Sequence, residues 1–131
     1  MIPKFRAWDK ESQTMIDVSL IDFKKRVLVG EHWKFGETNF INFDEVELMQ
    51  STGLKDKNGK EIFEGDILAV EADDGVIILK VSWDDEHALF VIKTKKFNEE
   101  TALAELVDDN SYPFEVIGNI YENLELLEVT E

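Results

Sequence analysis

The sequence predicts a mainly β fold with one short helix, arranged as a partly open SH3-like antiparallel barrel with strand additions at its N-terminus. Three observations carry that expectation. Apolar and β-branched residues recur in short runs separated by Asp, Asn and Gly clusters, as strands divided by turns do. Asn58-Gly59 lies between strand-like flanks and predicts a hairpin, because both residues tolerate the positive φ of a type I′ turn. Only one segment, near residues 99–108, has the capping and carboxylate pattern of a helix. Six to nine short strands joined by tight turns would close most readily as a small barrel.

Along the chain, Phe5-Arg6-Ala7-Trp8 reads as an opening strand that Asp9-Lys10-Glu11-Ser12 ends. Met15–Phe23 alternates through Ile16, Val18 and Leu20, then slips phase at Ile21, which predicts a bulge or bend near Leu20. Val27-Leu28-Val29 and Ile41-Asn42-Phe43 bracket Gly30–Phe40, an irregular segment expected to be a mobile loop. Leu54 and Ile62 flank the Asn58-Gly59 turn, and Glu64-Gly65-Asp66 forms a second turn that delivers the chain into Ile67-Leu68-Ala69-Val70. Val76–Val81 and Leu89–Ile92 are apolar runs expected to pair antiparallel and to need cover on both faces. Asn98 and the carboxylates Glu99 and Glu100 open the predicted helix. Phe114–Tyr121 closes the fold, with Gly118 marking a bulge or a close contact.

Leu48–Ile67, read LMQSTGLKDKNGKEIFEGDI, resembles the central signature of the YopX family, small proteins of bacteriophages and prophages of Gram-positive bacteria. Lys4-Phe5-Arg6-Ala7-Trp8-Asp9 is similar to the family's start, and Phe114–Asn123 is similar to its end. The resemblance spans residues 4–123 in order and implies one YopX-like domain over 1–131 in a phage or prophage setting. It implies no reaction, because the family carries no established activity.

Composition narrows the function classes. At 131 residues, 44% hydrophobic and 11% aromatic, the chain suits a single domain with an ordinary core and no internal repeat. The absence of cysteine excludes disulfides, thiol catalysis and thiolate metal sites, and fits the reducing cytoplasm of a host bacterial cell. The N-terminus lacks the apolar core of a signal peptide, and no apolar run approaches the roughly 18 residues of a bilayer span. A net charge of −15, with ten acidic and no basic residues after Lys96, opposes association with polyanions. Lys24-Lys25-Arg26 is the best local basic cluster and reads as a solvated turn.

Candidate chemistry is sparse. The hairpin tip Asp56-x-Asn58-x-Lys60 begins like a calcium loop but places Lys60 and Glu61 where an oxygen ligand and a glycine are required. Asp73-Asp74 and Asp84-Asp85-Glu86 would be oxygen-rich turns able to hold a weak cation if they met at one sheet end. His32 and His87 are too few for a zinc site. No nucleophile elbow or phosphate loop is present, so the expectation is no catalytic, cofactor or metal residues, and no cofactor. Trp8, Trp83 and Phe90 are expected in the core, which leaves His32, Trp33, Phe35 and Phe40 as the candidate interaction surface. The sequence therefore favours a non-catalytic accessory protein acting through protein–protein contacts and self-association, as a homo-oligomer with a further protein partner. The alternative is a nucleic-acid-related module, either a barrel with a concealed basic face or an acidic decoy of a DNA-binding protein. A metal-dependent hydrolase using Asp84 or Asp85 ranks third.

Overall fold

The computed structural model describes residues 4–93, 100–109 and 111–127. Among them are eleven strands and one α-helix: β1 Phe5–Asp9, β2 Thr14–Asp22, β3 Val27–His32, β4 Thr38–Asn42, β5 Val46–Lys55, β6 Glu61–Phe63, β7 Asp66–Ala72, β8 Gly75–Asp84, β9 Leu89–Lys93, β10 Glu100–Ala102, α1 Leu103–Asp109 and β11 Phe114–Asn119. Short 3-10 turns follow β4 at Phe43–Glu45 and β11 at Leu124–Leu127. The chain forms two compact units, Met1–Ser51 and Thr52–Glu131.

The mainly β expectation holds, but the barrel does not form. One sheet has the order β4-β3-β2-β1-β5-β6 and the other β10-β9-β8-β7-β11, and neither closes on itself. Cover replaces closure. In the second unit, the core of Leu68, Val70, Leu79, Val81 and Ile92 is covered by Ile62 from β6, Leu103 from α1 and Phe114, with Leu54, Leu106 and Val107 packed around it. β8 is nonetheless not covered throughout, since Val76 and Ile77 remain exposed near its start. The helix starts later than its sequence pattern suggests, because Glu100–Ala102 is drawn into pairing with β9; Asn98 and Glu99 lie outside the described residues.

In the first unit, Ala7, Ile16, Leu28, Ile41 and Val46 form the core. The predicted irregularity in β2 is present as a register shift between Val18 and Leu20 against β3. Gly30–Phe40 is not a loop. Val29 pairs with Phe40, Gly30 with Asn39 and Glu31 with Thr38, making a hairpin turned by residues 33–37, with Gly36 N–H donating to the His32 carbonyl at 2.8 Å. Glycine at position 30 has a steric cause, since a Cβ there would overlap the Ile16 side chain and meet the Asp17 carbonyl at 2.7 Å.

The hairpin around Asn58-Gly59 forms, but with a different turn. Only Gly59 has positive φ, at 81°, while Gly59 N–H donates to the Asp56 carbonyl and Asp56 N–H to the Lys60 carbonyl. That is a three-residue loop, a type I turn closed by a left-handed glycine. The Asp56 side chain decides the difference. Its Oδ1 accepts the Asn58 and Lys60 N–H groups at 2.9 Å each, and its Oδ2 accepts Val116 N–H of β11 at 2.9 Å. Burial alone would raise the Asp56 carboxyl, but these backbone donors and the charge of Lys60 outweigh it and hold the group below its ordinary value.

A carboxyl depressed in the folded state contributes stability above its unfolded value and loses it as pH falls through the folded one. Asp56→Asn should therefore cost about 2 kcal/mol or more at neutral pH, the scale of hydrogen bonds to a charged group. In urea unfolding, its difference from the parent chain should shrink once pH falls below the ordinary value of 3.8. Gly30→Ala should cost about 1–3 kcal/mol at every pH, as overpacking does.

Candidate functional site

The β3–β4 hairpin carries the residues singled out in the sequence but does not gather them. Trp33 and Phe35 are half exposed in the turn, and Phe40 is 81% exposed on β4. His32 is only 6% exposed, so the expectation of an exposed foursome is corrected for this residue. Its Nε2–H donates to Asp9 Oδ2 at 3.0 Å, and its Nδ1 accepts from Asn39 Nδ2 at 3.4 Å. Asp9 also accepts Glu11 and Ser12 backbone N–H groups; burial would raise its carboxyl, yet the bond from His32 and these donors hold it below the ordinary value. Phe35 stacks at a tilt on His32, with ring centroids 5.9 Å apart.

Phe40 belongs to a different face. Registers across three strands align Leu20 with Val29 and Val29 with Phe40. The bulge after Val18 turns Leu20 away from the core side on which Val18 lies, because two residues of β2 there oppose one step of β3. The result is an apolar row, Leu20–Val29–Phe40, whose outer members are 54% and 81% exposed. Leu20 and Val29 were not among the expected surface residues. Their signal was the phase slip in β2, which marks where alternation changes face.

Other groups are spent on structure or stand apart. Lys24-Lys25-Arg26 forms the exposed β2–β3 turn, where Arg26 lies over the Phe43 ring at 5.4 Å and contacts Asp44 at 3.4 Å. The acidic pairs do not meet: Asp73-Asp74 and Asp84-Asp85 occupy opposite ends of β8, about 30 Å apart at strand rise. Among the described residues no three His, Asp or Glu side chains gather as a metal site. The exposed His87 bonds to Asp84 at 2.8 Å, which lowers that carboxyl. Trp83, expected in the core, is 40% exposed and packs edge-on against Phe90 at 4.9 Å. An open apolar hollow of about 500 Å³ lies between Val70, Ile77, Leu79, Leu106 and Tyr112. At its rim, Tyr112 O–H donates to Asp73 at 3.2 Å, and this carboxylate raises the phenol.

Two of the carboxylates that stand out in the sequence, Asp9 and Asp56, bond to backbone N–H groups. The YopX protein profile matches residues 4–128. The chain belongs to the YopX family. Protein EF1440 from Enterococcus faecalis is 32% identical, with a TM-score of 0.65 over 97% of this chain and 99% of that one. The yopX protein of Bacillus subtilis is 23% identical, with a TM-score of 0.61 over 95% and 97% of the two chains, and shares the fold. No curated protein matches. Much of what makes this chain recognisable as YopX is structural: Asp56, Gly59 and Asp66 hold turns, and Asn119 accepts the Tyr121 and Glu122 N–H groups at 3.0 and 2.9 Å.

His32→Leu should destabilise this YopX-family chain by about 1–3 kcal/mol at neutral pH, since the Asp9 carboxylate loses a partner at a largely buried site. The loss should narrow as pH falls below 3.8, where Asp9 takes up a proton first in the unfolded chain and the contribution of its depressed folded value declines; chemical denaturation across pH 3–7 measures it.

Proposed function

We propose that the chain is a non-catalytic accessory protein of a phage or prophage, working in the host cytoplasm through protein–protein contact that includes self-association. The observation that carries this reading is the exposed Leu20–Val29–Phe40 row, which ends on an outermost strand of its sheet. Apolar surface left in water at a strand edge favours association by burial and by backbone pairing together.

The use of the titratable groups supports the non-catalytic part. Asp9 and His32 are bonded to each other, and Asp56 is saturated by three backbone donors, so these groups are committed to holding the fold. Charge supports a protein partner over a nucleic acid, since a net charge of −15 repels phosphates and the one basic triplet has its Arg26 beside Asp44. No helix among the described residues is long and apolar enough to cross a membrane.

Light scattering coupled to size exclusion, at low and high salt, tests the reading. The expected result is a mass above that of one chain, reduced by Phe40→Ser. A single-chain mass at every concentration, with no partner recovered by affinity capture, would overturn it. Isothermal calorimetry with magnesium, calcium and zinc is expected to show no binding; heat from any of them would revive the metal-dependent hydrolase.

A further inference from the structure

Resting on the self-association reading, we infer that the partner is a second copy of this chain, joined antiparallel through β4 about a two-fold axis at Asn39. Among the described residues, β4 is the last strand of its sheet and pairs only with β3 within it. Phe43 N–H donates to the Arg26 carbonyl and His32 N–H to the Glu37 carbonyl, each at 3.0 Å. Alternation along an antiparallel strand then directs the backbone groups of Asn39 and Ile41 toward β3, and those of Thr38, Phe40 and Asn42 toward the open edge. Asn42 N–H is already taken by Glu45 Oε2 at 3.2 Å. The open pairing groups are therefore those of Thr38 and Phe40.

Edges are ordinarily blunted by lysine, proline or a bulge. β4 reads Thr-Asn-Phe-Ile-Asn and has none of these, and its register with β3 is unbroken. With the axis at Asn39, Thr38 of each copy faces Phe40 of the other and the two pairs exchange four hydrogen bonds. The Phe40 rings then lie on one face in diagonal positions about 7–8 Å apart, within aromatic reach. The two apolar rows become one, Leu20–Val29–Phe40 continuing into its symmetry mate.

Two copies of one chain carry the same charge, so charge selects this unit as the face through which they meet. Residues 1–51 hold seven basic and nine acidic residues, a net of −2, whereas residues 52–131 hold seven and twenty, a net of −13. Two such chains repel through their second units and meet at least electrostatic cost through the first. The pairing strand itself carries no charge. Association should consequently tighten as salt rises, because screening weakens the repulsion.

Cysteine scanning at Thr38, Asn39 and Phe40 tests the register, since the chain has no cysteine of its own. Asn39 meets its mate as a non-hydrogen-bonded pair with Cα atoms about 4.5 Å apart, inside the roughly 4.4–6.8 Å a disulfide spans. Asn39→Cys should form a disulfide dimer under mild oxidation faster than Thr38→Cys, Phe40→Cys or the hairpin-tip control Asn58→Cys. Thr38→Pro removes two of the four bonds without costing a bond to β3, and should raise the dimer Kd about tenfold or more. Phe40→Lys, which needs no backbone change, should also weaken it. A parent dimer that survives both substitutions and forms no disulfide at position 39 would overturn this pairing while leaving self-association standing. A parent chain that stays single at all concentrations would overturn both.

Discussion

The carboxylate of Asp56 is the interaction on which the second unit's arrangement depends. One side chain accepts two N–H groups of its own hairpin and one from β11, and so ties residues sixty positions apart in the chain. Lys57 N–H adds a bond to the Phe114 carbonyl, and Asn58 Nδ2 donates to Glu115, so the hairpin tip is laced along the start of β11. β11 in turn pairs with β7, which pairs with β8. Losing the carboxylate would free three half-buried donors at once, a cost concentrated in one residue.

The same economy explains why kinship is easy to see and activity is not. The segments that identify the family, residues 48–67 and 114–123, meet each other through Asp56, and through Ile120 N–H on the Gly65 carbonyl at 2.9 Å. Gly118 leaves no space for a Cβ because the Asn123 side chain fills it. Turn, bulge and crossing contacts consume these side chains. What is left to act on other molecules is surface, and there the two units differ: the first is nearly neutral with an apolar row and an open edge, and the second carries most of the negative charge. A charge this uneven directs where two like chains can approach.

Local signals in the sequence located most of the strands, because alternation and turn residues act within a few positions; β10 lies where they predicted helix and most of β4 where they predicted a loop. The β2 phase slip, the Glu64–Asp66 turn, the pairing of β8 with β9 and the irregularity at Gly118 are all where those signals placed them. Errors arose where a distant partner overrode a local preference. Asn58-Gly59 alone favours a type I′ turn, but Asp56 and β11 hold a longer loop. Gly30–Phe40 lacks alternation, yet the pairing of β3 with β4 orders it as a hairpin. His32 and Trp83 exchanged their expected environments, since burial depends on which strands become neighbours.

By itself, then, the sequence determined the mainly β class, most strand positions, the family and the anionic surface, all of which follow from short-range pattern and composition. Only the tertiary structure decided that the sheets stay open, that Leu20 and Val29 join Phe40, and that Asp9 and His32 close on each other. Those outcomes depend on register between strands, and register is a relation between residues far apart in the chain that no local window contains.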